Sequence, residues 1–231
     1  MAITIVTSVV GTAVGGTNVT LALGSTAQND IVVTFGGFAG GTATAPGVIS
    51  PSGYTSVLVV DCAANDFKIQ WKRLGATPDP SVLLANSGDA ADAVGYGAYV
   101  LRGVVTDPDP FDSTIKTSVA TGVPNVPSIV TTTAGAIVLA LGVNDINDGS
   151  PGVLTRFAAN IGGSSNDNDD FTVAGAASII ATAGTIYPSV WTTWASGVYN
   201  TAAVALKPAS VATGGTVSVS TNFLTCLGAG S

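Results

Sequence analysis

Two near-matching strands, AYVLRGVV at 98–105 and AAVALKPA at 202–209, close the two copies of a faint internal duplication, and a chain built twice from one unit has few ways to bury both copies. The first copy runs from Ile31-Val32-Val33 through Gly75-Ala76-Thr77 and Pro80-Ser81-Val82 to Leu101-Arg102. The second runs from Ile137-Val138-Leu139 through Ala183-Gly184-Thr185 and Pro188-Ser189-Val190 to Leu206-Lys207. Corresponding points are offset by 106 (31 to 137), 109 (75 to 184) and 105 (102 to 207). A repeat of this length, present twice, lies outside the short periods of stacked arrays. Two such halves pack as one antiparallel double-sheet sandwich. The expected organisation is an N-terminal strand or arm at 1–28, a sandwich domain at 29–210 with pseudo-repeats at about 30–107 and 136–209, and a C-terminal strand or arm at 211–231.

Composition supports an all-β chain. All 14 acidic residues are Asp, the only Gln are Gln28 and Gln70, and 29 Gly are spread among Thr, Val, Ala and Ser. Strong formers of surface helices are therefore scarce, while short strands joined by tight turns are well served. At 231 residues, a sandwich of this kind commonly forms one domain.

Charged residues make up only 9 % of the chain, against the quarter or so usual for an isolated domain. Burial of low-charge faces in a homo-oligomer, with a trimer as one option, or in a larger shell answers that shortfall. The net charge of −7 disfavours nucleic acid as a partner, because phosphate binding needs clustered Lys and Arg. The apolar stretches near 134–143 and 173–183 fall short of the ~20 residues a membrane-spanning helix needs, so no membrane partner is expected. No Lys or Arg precedes Lys68, so the apolar N-terminus lacks the basic start of a signal peptide and is expected to be a first strand.

Along the chain, FKIQWKRL at 67–74 alternates Phe67, Ile69 and Trp71 against Lys68, Gln70 and Lys72, the pattern of a half-buried strand. TSVLVVDC at 55–62 is apolar enough for a buried strand, and VLTRF at 153–157 for a short one. The Gly-rich 36–53, NDINDGSPG at 144–152 and GGSSNDNDD at 162–170 are expected to be outward loops. In DPDPFD at 107–112 each Pro fixes its own φ and biases its predecessor away from helix, so a rigid connection is expected between the halves.

Several of these segments carry a resemblance. SPSGYT at 50–55, YVLRGVVTDPDPFD at 99–112 and the closing TAAVALKPA resemble a broad group of phage-encoded β-sandwich proteins of the virion. That group shows a P-x-G-W-T-like turn, an A-F-R-G-V-D-P-x-x-P-F segment and a closing V-A-L-R-P. Pro51, Gly53, Tyr54 and Thr55 occupy the turn, with Tyr for Trp. Arg102, Gly103, Val104, Asp107, Pro110 and Phe111 fit the middle segment around an extra Val105-Thr106, and Leu206, Lys207 and Pro208 fit the end. The resemblance spans about residues 30–210 and implies a jelly-roll or concanavalin-like sandwich located on a virion, in a capsid decoration, head fibre or tail component. The fold alone does not choose among those sites.

The chemistry-bearing residues are few. No His is present, which removes Ser-His-Asp and Cys-His machinery and the commonest transition-metal ligand, so no catalytic residue and no enzymatic activity are expected. Paired Asp carboxylates for glycoside hydrolysis are outweighed by the placement of nearly every Asp in an Asn/Gly/Pro-rich turn. Two oxygen-rich loop clusters are candidates for Ca2+: Asn144, Asp145, Asn147 and Asp148 in one, and Asp167, Asp169 and Asp170 in the other. Neither has a complete EF-hand spacing, and solvated loops without a cofactor are the simpler expectation.

For a glycan platform, Trp191 and Trp194 are three apart and face opposite sides of a regular strand, so one is expected in the core; Trp71 is expected buried, and Tyr96, Tyr99, Tyr187 and Tyr199 are the other aromatics free to reach a surface. Cys62 and Cys226 are expected reduced. The function expected is a structural one in the virion, decorating or cementing the capsid through contacts with the major capsid protein or other virion proteins. A tail or fibre component that binds a host glycan is the alternative.

Overall fold

Each half of the chain is a long hairpin whose arms pair in nested order and then roll up. The computed structural model describes residues 1–14, 16–39, 46–61, 65–87, 89, 91–146, 151–166 and 170–209. In the first half the strands are β1 (Thr4–Val14), β2 (Val19–Ala22), β3 (Ile31–Ala39), β4 (Val48–Ser50), β5 (Thr55–Asp61), β6 (Asn65–Arg73), β7 (Ser81–Leu84) and β8 (Ala93–Arg102). β1 pairs with β8, β2 with β7 and β3 with β6, all antiparallel. Rolling brings β8 beside β3, which gives a five-stranded sheet of order β1-β8-β3-β6-β5 and a three-stranded sheet β2-β7-β4 over one of its faces. This is the jelly-roll arrangement, with β5 folded back onto β6.

The second half repeats it with β9 (Lys116–Gly122), β10 (Asn125–Val126), β11 (Ile129–Thr131), β12 (Ala136–Asn144), β13 (Ala158–Asn166), β14 (Asp170–Ile180), β15 (Gly184–Ile186), β16 (Ser189–Val190) and β17 (Gly197–Leu206). Nested pairs β9·β17, β10·β16, β11·β15 and β12·β14 lead to a sheet of order β13-β14-β12-β17-β9. Beside β16, a bridge between Leu154 and Trp191 stands where β4 stands beside β7. The correspondence holds to the residue: Ile31 pairs with Arg73 and Leu101, and Ile137 pairs with Ile179 and Leu206. The duplication in the sequence is thus a duplication of topology.

The two five-stranded sheets face each other as the central sandwich, and the small sheets cover their outer faces. Three apolar layers result. Phe35, Phe67, Ile69, Tyr99, Leu139, Leu141, Phe171 and Val204 fill the central one. Val19, Leu21, Phe38 and Tyr96 lie under the first small sheet, and Trp191, Trp194, Leu154 and Ile129 under the second. Burial on both faces explains why β3 and β12 are near-continuous apolar runs in which every residue is buried. In β6 the expected alternation places Phe67, Ile69 and half-buried Trp71 against the central layer. Gln70 is turned under the small sheet, where its Oε1 accepts from the Val48 N–H at 2.7 Å.

Several expectations change. Residues 1–28 do not project as an arm, because the free edge of β8 takes up β1 over its whole length and Val19, Leu21 and Leu23 are buried in the first outer layer. Gly36 and Gly37 belong to β3 rather than a loop. A Cβ at Gly37 would come within 1.9 Å of the Asp66 carbonyl oxygen, so glycine there serves close strand approach. Likewise Gly162–Asn166 continue β13, while VLTRF contributes a single bridge at Leu154. β5 is an edge strand with Val59 54 % exposed, not a buried one. The C-terminal residues 210–231 lie outside the described residues.

Candidate functional site

The calcium candidates are divided. Asp145 follows β12, where its backbone N–H donates to the Val198 carbonyl at 3.1 Å and its Oδ1 accepts from the Val198 N–H at 2.7 Å. That carboxylate therefore fastens the start of β17. Asp170 opens β14, exposed, and the register of Asn144 opposite Thr172 brings Asp145 and Asp170 to the same end of the sheet. Asp148, Asp167 and Asp169, like Cys62 and Cys226, lie outside the described residues. Among the described residues no three acidic or thiol groups converge on one point.

The aromatic residues are mostly interior. Trp191 and Trp194 do not face opposite ways: the chain leaves strand geometry after Trp191, and both indoles are buried in one layer, ring centroids 4.6 Å apart at 85°. Trp71 meets Phe111 edge to face at 5.8 Å. Tyr96 and Tyr99 are buried, with hydroxyls that donate to the Ala85 and Ala159 carbonyls, and burial pushes both phenols well above the ordinary range. Tyr187 is 72 % exposed.

The sandwich is closed along one side and open along the other. On the closed side β1 packs along β13, where Gly163 lies against Val10 and Thr12 and the Ser165 hydroxyl donates to the Ala13 carbonyl at 3.0 Å. The equivalent strands on the opposite side, β5 and β9, do not pair with each other, and each is a sheet edge among the described residues. Between them is a cleft of about 680 Å³ walled by Val57 and Leu58 of β5, Thr117 of β9, and Asp109, Phe111 and Ile115 of the connection between the halves.

That connection is held rigidly, as its prolines imply. It runs beside the end of β17: Val105 donates to the Lys207 carbonyl at 3.0 Å, Lys207 to Pro110 at 2.9 Å, and the Asp112 N–H to Ala205 at 2.8 Å. The Asp112 carboxylate then accepts from the Thr132 N–H at 2.5 Å, the Thr132 hydroxyl at 3.0 Å and the Thr133 N–H at 3.2 Å. Burial alone would raise its pKa, but these bonds to Thr133 and Thr132 together outweigh burial and leave the carboxyl below its usual range.

A second recess of about 510 Å³ lies where Ala209 ends the described chain. Its wall includes the Asp30–Arg102 ion pair, Nη2 to Oδ2 at 2.9 Å, and the hydrogen bond to Asp30 raises the Arg102 pKa. The Asp30 carboxylate also accepts from the Ala27 N–H, so the pair braces the turn before β3.

No sequence motif pointed to the open side. The signal that marks it is the edge position of β5 and β9 in the nested pairing, which becomes visible only once the two halves are paired strand by strand. Comparison with family models, with curated proteins and with solved structures finds no match to this chain.

Proposed function

We propose that this chain is a non-enzymatic structural protein of a phage virion, an outer capsid decoration, cement or head-fibre protein that assembles with further copies of itself and with the major capsid protein. The observation that carries this reading is the pair of strands β5 and β9, sheet edges among the described residues, that flank one cleft of mixed apolar and polar lining on one side of a sandwich sealed on the other. An unpaired strand edge accepts an extended segment from a neighbour through main-chain hydrogen bonds, with side-chain pockets setting its register. Val59 and Val119, 54 % and 48 % exposed on those edges, gain cover in such a contact. Residues 210–231, which contain no charged side chain, are the donor segment of matching character.

Two further features support it. Low charge over a body with three apolar layers suits a subunit whose flanks are covered in an assembly. The likeness of SPSGYT, YVLRGVVTDPDPFD and TAAVALKPA to virion sandwich proteins supports a place on the virion. The second reading, a tail or fibre component that binds a host-surface glycan, draws on the exposure of Tyr187.

Cryo-electron microscopy of intact virions tests the choice by locating the chain and counting its copies. Many copies that follow the icosahedral lattice are expected. A ring or trimer confined to the tail would favour the second reading, and absence from the particle would overturn both.

A further inference from the structure

The two halves carry the same corner, and only one of them is filled. In the first half Gly53 and Tyr54 precede β5, Lys72 lies near the end of β6, and Asp79 precedes Pro80-Ser81-Val82. The register of the sheets places Arg156, Phe157 and Ser178 at the positions of Gly53, Tyr54 and Lys72, since Thr55 pairs with Trp71 as Ala158 pairs with Ala177. Tyr187, ahead of Pro188-Ser189-Val190, takes the position of Asp79.

The first corner satisfies itself. Lys72 Nζ contacts Asp79 Oδ2 at 2.7 Å, donates to the Ser52 carbonyl at 2.8 Å and lies 5.5 Å from the centre of the Tyr54 ring. In the second corner both partners of that ion pair are replaced, Lys72 by Ser178 and Asp79 by Tyr187, and the cation comes instead from Arg156 at the position of Gly53. Arg156 is exposed and, among the described residues, has neither an ion-pair nor a hydrogen-bond partner. It borders a cavity of about 210 Å³ together with Phe157, Ser178, Thr185 and the exposed ring of Tyr187.

Backbone strain marks the same place. Gly53 has φ 92°, and Arg156 at the matching position has φ 74°, in the left-handed region that glycine enters freely and a residue with a Cβ resists. Of the four described non-glycine residues with positive φ, Arg156 lines this cavity, and Ala159 and Ser189 follow its lining residues Arg156 and Tyr187 by three and two positions in the chain. Such strain persists where surrounding structure enforces it, and it concentrates at binding sites. Here it holds a guanidinium where the other half needs only a glycine.

We propose that this corner binds an acidic sugar residue, a single pyranose ring bearing a carboxylate. The cavity is smaller than the roughly 300–1,000 Å³ that encloses a drug-sized ligand, which suits one ring at a chain end or branch. Arg156 supplies the planar fork that pairs with a carboxylate, as Lys72 pairs with Asp79 in the other half. The face of Tyr187 offers an apolar platform for the C–H face of the ring, and the Ser178 and Thr185 hydroxyls lie at hand for ring hydroxyls. The ligand thus provides the carboxylate that the second half lacks. This holds whether the chain is mounted on a capsid or on a tail.

The test is a titration of the full chain with methyl glucuronide and with methyl glucoside, its neutral counterpart, followed by NMR shifts. Saturable binding of the glucuronide is expected, weakened roughly tenfold or more when the carboxylate is removed, or in Arg156→Gln or Tyr187→Ala. Arg156→Lys should fall between, since it keeps charge and loses the fork. Both substituted side chains are exposed, so melting curves should match the parent and exclude misfolding as the cause. Absence of saturation with either glycoside, equal binding of the two, or glucuronide binding unchanged in Arg156→Gln would each overturn the proposal.

Discussion

Asn65 and Asn200 hydrogen-bond to each other across the central sandwich, both fully buried, at the place where Phe171 and Gly95 meet on the other side of the pseudo-twofold axis. The second pair is an aromatic ring over a bare backbone: a Cβ at Gly95 would come within 3.1 Å of the Phe171 ring. One interface position has therefore been filled in two ways, by an amide pair in which Asn200 Nδ2 donates to Asn65 Oδ1 and by a ring in a glycine notch. Asn65 also donates to the Val198 carbonyl at 2.8 Å and so ties β6 to β17.

A double-mutant cycle follows from that equivalence. Asn65→Phe or Asn200→Gly alone strands a buried amide and should cost about 1–3 kcal/mol. Together they rebuild the Phe171–Gly95 arrangement, and the pair should cost at least about 1 kcal/mol less than the sum of the singles in urea unfolding. Strict additivity would show that the two sides of the axis are not interchangeable.

Asp112 gives a pH dependence. Its carboxyl titrates below the ordinary value of 3.8, so the stability it confers is complete above that value and is lost as pH falls through the lower folded one. Asp112→Asn keeps the shape and removes the charge, and should cost about 1–2 kcal/mol at neutral pH, the difference between charged and neutral hydrogen bonds. Denaturation at neutral pH and again in acid should show the gap between parent and variant closing as the parent carboxyl protonates. A gap independent of pH would mean that the amide disrupts packing instead.

The repeat was legible in the sequence because its copies end in strands of the same register, with Leu101 and Leu206 both paired to the first residue of the matching run. Alternation in FKIQWKRL likewise located β6 and its inward face. What stayed hidden is the nested pairing, since partners such as β1 and β8 are separated by most of a half and local pattern carries no trace of them. The Arg156 corner was hidden for a related reason. Gly53-Tyr54-Thr55 and Arg156-Phe157-Ala158 share no residue, so their equivalence emerges from sheet register and not from similarity. Glycines in β3 suggested a loop because composition cannot separate a turn from a strand under close approach.

The strain at Arg156 has a consequence for stability. Relief of a left-handed backbone is worth about 1–2 kcal/mol, and added freedom in the unfolded chain removes about 0.4–1 kcal/mol of that. Arg156→Gly should therefore raise stability by a few tenths to about 1 kcal/mol in thermal or urea unfolding, making the corner like that of Gly53. A loss of stability would mean that the arginine stem contributes packing that outweighs its backbone conformation.

Charge on the β5 and β9 edges tests the assembly surface directly. Val59 on β5 and Val119 on β9 are about half exposed, so Val59→Lys and Val119→Lys should shift stability of the single chain by no more than about 0.5 kcal/mol. Lysine on a strand edge nonetheless opposes addition of a further strand, because desolvating the ammonium offsets the main-chain hydrogen bonds gained. Light scattering should accordingly report a lower mass for the double variant than for the parent at equal concentration. If the mass is unchanged while melting curves coincide, the contacts between copies lie away from the open side, and the closed β1–β13 side becomes the surface to alter next.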